Sequence, residues 1–346
     1  MLTRSAIRMT AIVEVSQLVK TYGDGTKAVK GISFNVSEGE FFGFLGPNGA
    51  GKSTTIKILT TLLRKTSGSA AVAGFDVEAD AAKIRKVIGV QNQDTVVDED
   101  LTGRENMMLQ GELHQMHGQA LRERVGELLK IVDLVDAADK RAGFYSGGMK
   151  KRLDLATTLV HDPKILFLDE PTTGLDPQSR AAIWAYLKRL NEQGITIFIT
   201  TQYLEEVDRL CRRLAIVDLG EIVAQGTPAE LKQEIGADSI SLGFESTTMN
   251  GGETREKAKQ VLENKFDGVS NIVNSDIGLT VYAKNGSFMV PEIVRAFDDA
   301  GIKLSSIGVS SPTLDDVFLK HTGKRIRVEE VSSANYRGMF GRRRRR

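Results

Sequence analysis

Residues 46–53, Gly-Pro-Asn-Gly-Ala-Gly-Lys-Ser, constrain the fold of this chain more than any other segment. They match a glycine, four residues and then Gly-Lys-Ser, a loop that needs a strand before it and a helix after it. The glycines let backbone amides turn inward toward an anion, and the positive end of the next helix points at the same charge. Lys52 sets a cation against the β- and γ-phosphates of a nucleotide, and the Ser53 hydroxyl offers an oxygen to Mg2+. The flanks meet the requirement. Phe41-Phe42-Gly43-Phe44-Leu45 is a short apolar run that reads as a strand, and Ile56, Leu59 and Leu63 then recur at helical spacing.

Two further runs, residues 164–168 and the β-branched 196–200, read as buried strands. Strands separated by helices predict an α/β layer with a mainly parallel sheet. Residues 95–160 read as a helical subdomain inserted in that core. Thr102-Gly103-Arg104-Glu105 fits a capping box, and Leu128, Leu129, Ile131, Val132 and Val135 continue an amphipathic pattern. Residues 215–223, with Gly220 inside, read as a hairpin. Thr227-Pro228-Ala229-Glu230 offers a helix start with proline at its first helical position.

Past Gly236 the order changes. Strands are expected at 239–244, 271–273, 279–283 and 304–309, and helices at 254–262 and 290–300. That order is βαββαβ, a split-βαβ pattern. The expected division is a large domain at 10–235, a small α+β domain at 237–322 and a basic tail at 323–346 ending in arginines 342–346. A tail of that kind is usually a solvated segment.

The chain has 346 residues, which suits one large and one smaller domain. A net charge of +1 gives no global field toward nucleic acid or anionic lipid, so any such attraction is local. The single cysteine, Cys211, has no internal disulfide partner, which suits a reducing cytosol. Its place in a helical pattern makes it a buried structural thiol. Arg4 and Arg8 precede no apolar stretch and so do not read as a secretory signal. No run approaches the roughly 18 apolar residues of a membrane span. Work at a membrane would need spans from other chains.

Two more elements carry chemistry. Residues 165–170, Ile-Leu-Phe-Leu-Asp-Glu, end a buried strand in adjacent carboxylates. Neighbouring side chains there point in different directions. Asp169 is therefore assigned to the Mg2+ shell, and Glu170 to the attacking water as general base. Alone, the pair would read as two solvated acids capping a strand; the phosphate loop upstream reverses that. The second element, Tyr145-Ser146-Gly147-Gly148-Met149, precedes an apolar helix. It offers a hydroxyl, exposed amides and a helix N-terminus, another phosphate cradle.

Together these elements resemble the nucleotide-binding subunits of ATP-binding-cassette (ABC) transporters over roughly residues 12–235. The resemblance implies a P-loop NTPase fold with a mixed sheet core, an antiparallel edge and a helical subdomain. It also implies ATP and Mg2+. By it, Ser146, Gly147 and Gly148 form the signature motif, and Gln93 is the Q-loop glutamine, a metal ligand beside Ser53 and Asp169. Tyr22 stacks on adenine, Gly174-Leu175-Asp176 is the D-loop, and all of Gly46, Pro47, Asn48, Gly49, Ala50, Gly51, Lys52, Ser53 and Thr54 bind nucleotide. In the family the P-loop and signature motif face each other across a dimer interface. One copy of each implies a symmetric homodimer with two shared sites.

Residues 98–106, 200–206 and 312–318 look like the daunorubicin-resistance branch. Its members are ATPase subunits that pair with a separate membrane permease to export drugs or lipids, and they carry an extra C-terminal domain. The implied location is the cytoplasmic face of the membrane. The chain departs from the family at Gln202, where most members have histidine. A glutamine amide can donate to a γ-phosphate, but it cannot carry a proton near pH 7. The branch often has glutamine there, so Gln202 is kept as a catalytic candidate with Glu170 and Lys52. Tyr145 and Met149 replace the more usual leucine and glutamine. Competing readings are a soluble cassette ATPase that remodels nucleic acid or protein complexes, and a nucleotide sensor. Translation-associated relatives carry two cassettes and repair relatives long coiled coils, whereas this chain has one cassette and no sustained heptads. No nucleic-acid partner is expected.

Overall fold

The computed structural model describes residues 11–93, 95–235, 238–244, 251–275, 278–283 and 286–323. Arg4, Arg8 and the tail beyond Gly323, with its arginine run, lie outside them. The described residues open on two long antiparallel strands, β1 (Ala11–Thr21) and β2 (Lys27–Ser37). Val13, Val15 and Leu18 are buried on β1, and Ile32, Phe34 and Val36 on β2. A register shift between Val15 and Leu18, with Gln17 at φ 47°, breaks the period of two and hides β1 from a pattern search.

β3 (Phe41–Leu45) leads into the phosphate loop and α1 (Lys52–Leu59). Ile56 and Leu59 lie in α1 as expected, but Leu63 does not. The amides of Leu62 and Leu63 both donate to the Lys57 carbonyl, and Thr61 turns to φ 67°, which closes the helix first. β4 (Ser67–Val72) and the short β5 (Phe75–Asp76) complete a four-stranded antiparallel sheet, ordered β2-β1-β4-β5. α2 (Ala81–Ile84) and β6 (Ile88–Gln91) follow.

The helical subdomain holds α3 (Gly103–Leu113), α4 (Gly118–Ile131) and α5 (Gly147–Thr157). The capping box forms: Glu105 N donates to Thr102 Oγ1 at 3.1 Å and Thr102 N to Glu105 Oε2 at 2.8 Å. Leu128, Leu129 and Val132 are buried, whereas Val135 is 50% exposed. α4 ends at Ile131 and Asp133 takes φ 50°, so the amphipathic phase is lost before Val135.

The chain then returns through β7 (Ile165–Asp169), α6 (Pro177–Glu192), β8 (Thr196–Thr201), α7 (Leu204–Leu210), β9 (Arg213–Asp218), β10 (Glu221–Gly226) and α8 (Pro228–Ile235). The main sheet runs β10-β9-β3-β8-β7-β6. Five of its strands are parallel; only β10 runs against its neighbour. The expected hairpin is β9–β10, turning through Leu219 and Gly220, both at positive φ. Alternate residues divide this sheet between two cores. Phe42, Phe44, Phe167 and Phe198 face the antiparallel sheet, where Phe34 stacks on Phe42 at 5.7 Å. Phe41, Leu45, Leu166, Leu168, Ile197 and Ile199 face the helices. Cys211 is buried against that second core, and burial pushes its thiol up.

β11 (Asp238–Phe244), α9 (Gly251–Lys265), β12 (Val269–Ser275), β13 (Gly278–Ala283), α10 (Gly286–Asp299) and β14 (Leu304–Ser310) give the order βαββαβ. They form an antiparallel sheet ordered β12-β13-β11-β14. Ile240, Leu242, Leu279 and Val281 pack with Ile293 and Phe297 of α10. Tyr282 points the other way and joins the cassette core. There α11 (Leu314–Thr322), opened by a second capping box at Thr313 and Asp316, packs on α8. The Tyr282 hydroxyl donates to Asp316 Oδ1 at 3.2 Å. No helix among the described residues is long and apolar enough to cross a membrane.

Candidate nucleotide site

The loop between β3 and α1 closes tightly on its surroundings. A Cβ at Gly46 would lie 2.3 Å from the Val217 carbonyl oxygen, and one at Gly51, which stands at φ 97°, would lie 2.4 Å from that of Ala28. Only glycine fits either place. Gly51 also precedes α1 without a side-chain cap. The first-turn amides of α1 thus meet no capping side chain and remain available to an anion.

A cavity of about 540 Å3 opens over this turn. Asn48, Gly49, Gly51, Lys52, Ser53, Thr54, Gln93 and Glu170 line it. Gly46, Pro47 and Ala50 do not. They shape the loop instead: Ala50 N donates to the Pro47 carbonyl at 3.2 Å, and Gly46 N to the Thr201 carbonyl at 3.1 Å. Thr26, Lys27, Ala28, Lys30 and Leu219 complete the lining. None of these five stood out in the sequence. They come from the start of β2 and the β9–β10 turn, which only the sheet packing brings to the loop.

Lys52 is buried at 4% exposure. Its Nζ donates to the carbonyls of Gly46 at 2.8 Å and Pro47 at 3.0 Å, and pairs with Glu170 Oε1 at 3.1 Å. Glu170 Oε2 accepts from Thr173 Oγ1 at 3.2 Å. Glu170 itself stands at φ 49°, a left-handed conformation rare for a residue with a Cβ. Asp169 turns elsewhere. Its Oδ1 accepts from Thr200 Oγ1 at 2.5 Å, and it is not among the residues that line the cavity. The adjacent acids therefore do diverge. Gln202 is buried next to the end of β8, and its Oε1 has no hydrogen-bond partner. Tyr22 is 38% exposed, and its hydroxyl lies 3.2 Å from Thr54 Oγ1 at the edge of the cavity.

Gln93 is tied to α5. Its carbonyl accepts from Lys151 Nζ at 2.6 Å. Nearby, Asp154 accepts from Gln91 Nε2 at 3.0 Å and from Val96 N at 3.2 Å, and burial pushes its carboxyl up. Ser146 begins the same helix, its Oγ accepting from Met149 N at 3.3 Å. Ser146 and Gly147 are exposed, and neither they nor Gly148 lines the cavity. The unusual Tyr145 has a local reason. Its hydroxyl donates to the Ala137 carbonyl at 2.6 Å, passing where a Cβ on Gly103 would sit 2.3 Å away. The phenol thus ties the segment before Ser146 to the turn after α4, packed against Gly103 at the start of α3.

A profile of the ABC transporter family matches residues 29–173, and one described as the ATP-binding protein DrrA1-3-like C-terminal domain matches residues 226–322. The daunorubicin resistance ATP-binding protein DrrA2 of Streptomyces coeruleorubidus is 40% identical over 322 residues, 93% of this chain and 98% of that protein. The chain belongs to the ABC transporter ATP-binding family. As a member it binds and hydrolyses ATP. Among solved structures, the cbiO1 subunit of a Clostridium perfringens ABC transporter complex is 32% identical, with a TM-score of 0.60 over 65% of this chain and 93% of that one. A dimeric ABC cassette in a post-hydrolysis state with ADP and phosphate is 30% identical, with a TM-score of 0.57 over 62% and 98%. The α/β cassette fold with its helical subdomain agrees with both.

Proposed function

We propose that this chain is the ATP-hydrolysing motor of an exporter whose spans lie in a separate permease, and that it works as a homodimer on the cytoplasmic face of the membrane. The observation that carries this is the split site. Phosphate-binding residues line one cavity, while the exposed Ser146 and Gly147 stand outside it. A second copy would bring its own residues 146–148 over the ATP, giving two composite sites. A dimeric solved relative supports that arrangement, and the chain-wide similarity to a daunorubicin resistance protein supports export of a drug, with a lipid as the other cargo open to this branch.

Within each site the α1 amides and Lys52 receive the β- and γ-phosphates, and the Tyr22 ring meets adenine. The donor set suits Mg2+, which prefers hard oxygens and keeps water and phosphate ligands. Ser53 and Gln93 face the cavity, and the Asp169 carboxylate ends the strand beside it. These three residues would hold the ion, and the bound ion would neutralise charge on the phosphates. Glu170 takes the proton of the attacking water. The phosphate that draws Lys52 away from Glu170 also frees that carboxylate to act as base. Gln202 donates to the γ-phosphate. The Gln93 segment, held to α5 through Lys151, carries closure of the dimer to the permease.

The test is purification of the full chain from native membranes in mild detergent. A polytopic membrane protein should arrive with it and raise its ATPase rate. ATPase activity stimulated by nucleic acid instead, with no membrane partner, would favour a remodelling role.

A further inference from the structure

Glu206, on α7, is fully buried, and no role above uses it. Among the described residues no lysine or arginine forms an ion pair with it. Its Oε1 collects two hydrogen bonds from two other elements, Thr172 Oγ1 at 3.0 Å and Trp184 Nε1 at 2.8 Å. Trp184 belongs to α6, the helix that follows the D-loop. Thr172 belongs to the turn that follows Glu170.

That turn controls Glu170. Thr173 N donates to the Glu170 carbonyl and Leu175 N to the Thr172 carbonyl, both at 3.2 Å. Thr173 Oγ1 holds the Glu170 carboxylate itself. A residue at φ 49° keeps such a conformation only where its surroundings over-determine it. On the other side, Glu206 is the third residue of α7, and Gln202 stands in the short link between β8 and that helix, where Tyr203 N donates to Thr201 Oγ1 at 2.9 Å. A buried carboxyl group with no cation in ion-pair reach is costly, and Arg180 acts on this one only from farther away. Packing alone would be met by leucine or methionine. One oxygen that gathers donors from two elements serves to hold those elements together.

We propose that Glu206 is a positioning residue for ATP hydrolysis, tying the helix behind Gln202 to the turn that holds Glu170. The proposal rests on Glu170 being the base. What the network requires at this place is an acceptor oxygen, and glutamine supplies one.

Steady-state ATPase kinetics and ATP binding on the full chain test it, with Glu206→Gln, Glu206→Leu and Thr172→Val. Glu206→Gln should keep its turnover. Glu206→Leu and Thr172→Val should lower kcat roughly 10- to 100-fold while leaving KM and ATP affinity unchanged, because the reacting groups drift while the phosphate loop stays intact. The double variant should be no worse than the worse single one, since both remove the same contact. Wild-type kcat in Thr172→Val would overturn the proposal, as would a Glu206→Gln variant as slow as Glu206→Leu. Should Glu206→Leu fail to fold, Thr172→Val decides alone, because it removes one hydroxyl. Glu170→Gln separates the two readings. If it retains turnover, the base assignment falls. If it loses turnover while Thr172→Val does not, only the role of Glu206 falls.

Discussion

The two halves of the proposed site, residues 46–53 with Glu170 and residues 146–148, are finished to different degrees by their own chain. Lys52 and Glu170 are each less than a tenth exposed and pair with one another, while Lys52 also donates to the loop carbonyls and Glu170 accepts from Thr173. Ser146 and Gly147 are exposed, and the side-chain hydrogen bond of Ser146 only caps its own helix. The first half is built like a core and the second like an interface. A surface with glycine amides at a helix start, held rigid from behind by Tyr145, fits a phosphate held by another molecule.

Four experiments break or sharpen that contrast. The largest effect is expected at the finished half. Glu170→Gln should lower kcat by about 10²–10⁴-fold, in line with loss of a general base, while ATP binding persists and closed dimers accumulate. Single-turnover kinetics and light scattering read the two outcomes; near-wild-type turnover would remove Glu170 as base. Next comes a mixing test. Lys52→Ala and Ser146→Arg should each be nearly inactive alone, but mixed dimers hold one site with both defects and one with neither. Restored ATPase activity on mixing is therefore expected. No recovery, with mixed dimers shown to form, would mean that the halves are not shared between chains.

A smaller effect separates core from interface by pH. Burial pushes the Glu206 carboxyl up, against weaker opposing contributions from Thr201, Trp184, Thr172 and Arg180. The folded protein thus keeps a proton that the unfolded chain releases above the ordinary carboxylate range. The stability this group contributes is whole below the unfolded value and lost as pH rises through the folded one. Glu206→Gln does not titrate, so its Tm relative to wild type should climb as pH rises through that window. A constant difference in thermal melts would place the ordinary carboxylate pKa at Glu206. The smallest effect is expected at Tyr145→Phe, which loses one hydrogen bond worth about 1 kcal/mol. It should lower ATPase activity slightly and leave ATP binding to the isolated chain unchanged, as equilibrium titration would show. Weaker ATP binding would couple the two halves within one chain.

Local chemistry was the legible part. The phosphate loop, the Asp169-Glu170 pair, the Thr102 capping box, the β9–β10 turn and the βαββαβ order all follow from neighbours within a few residues. Such signals stay visible because caps, turns and strand ends impose residue types at short, fixed spacing. Where a spacing rule ran past a helix end it failed. Leu63 and Val135 kept the right period, but positive-φ residues at Thr61 and Asp133 had already turned the chain.

By itself the sequence determined that a strand, a glycine loop and a helix would make a turn suited to phosphate, and that two acids would stand at the end of another buried strand. Only the tertiary structure decided what meets them. Lys27 and Lys30 reach the cavity because β2 packs over the loop. Tyr145 needs Gly103, 42 positions earlier, because two loops cross there. Glu206 gathers Thr172 and Trp184 from other elements because burial leaves its carboxyl no water to bond. Such contacts depend on how elements pack across long stretches of chain, and no local spacing encodes them.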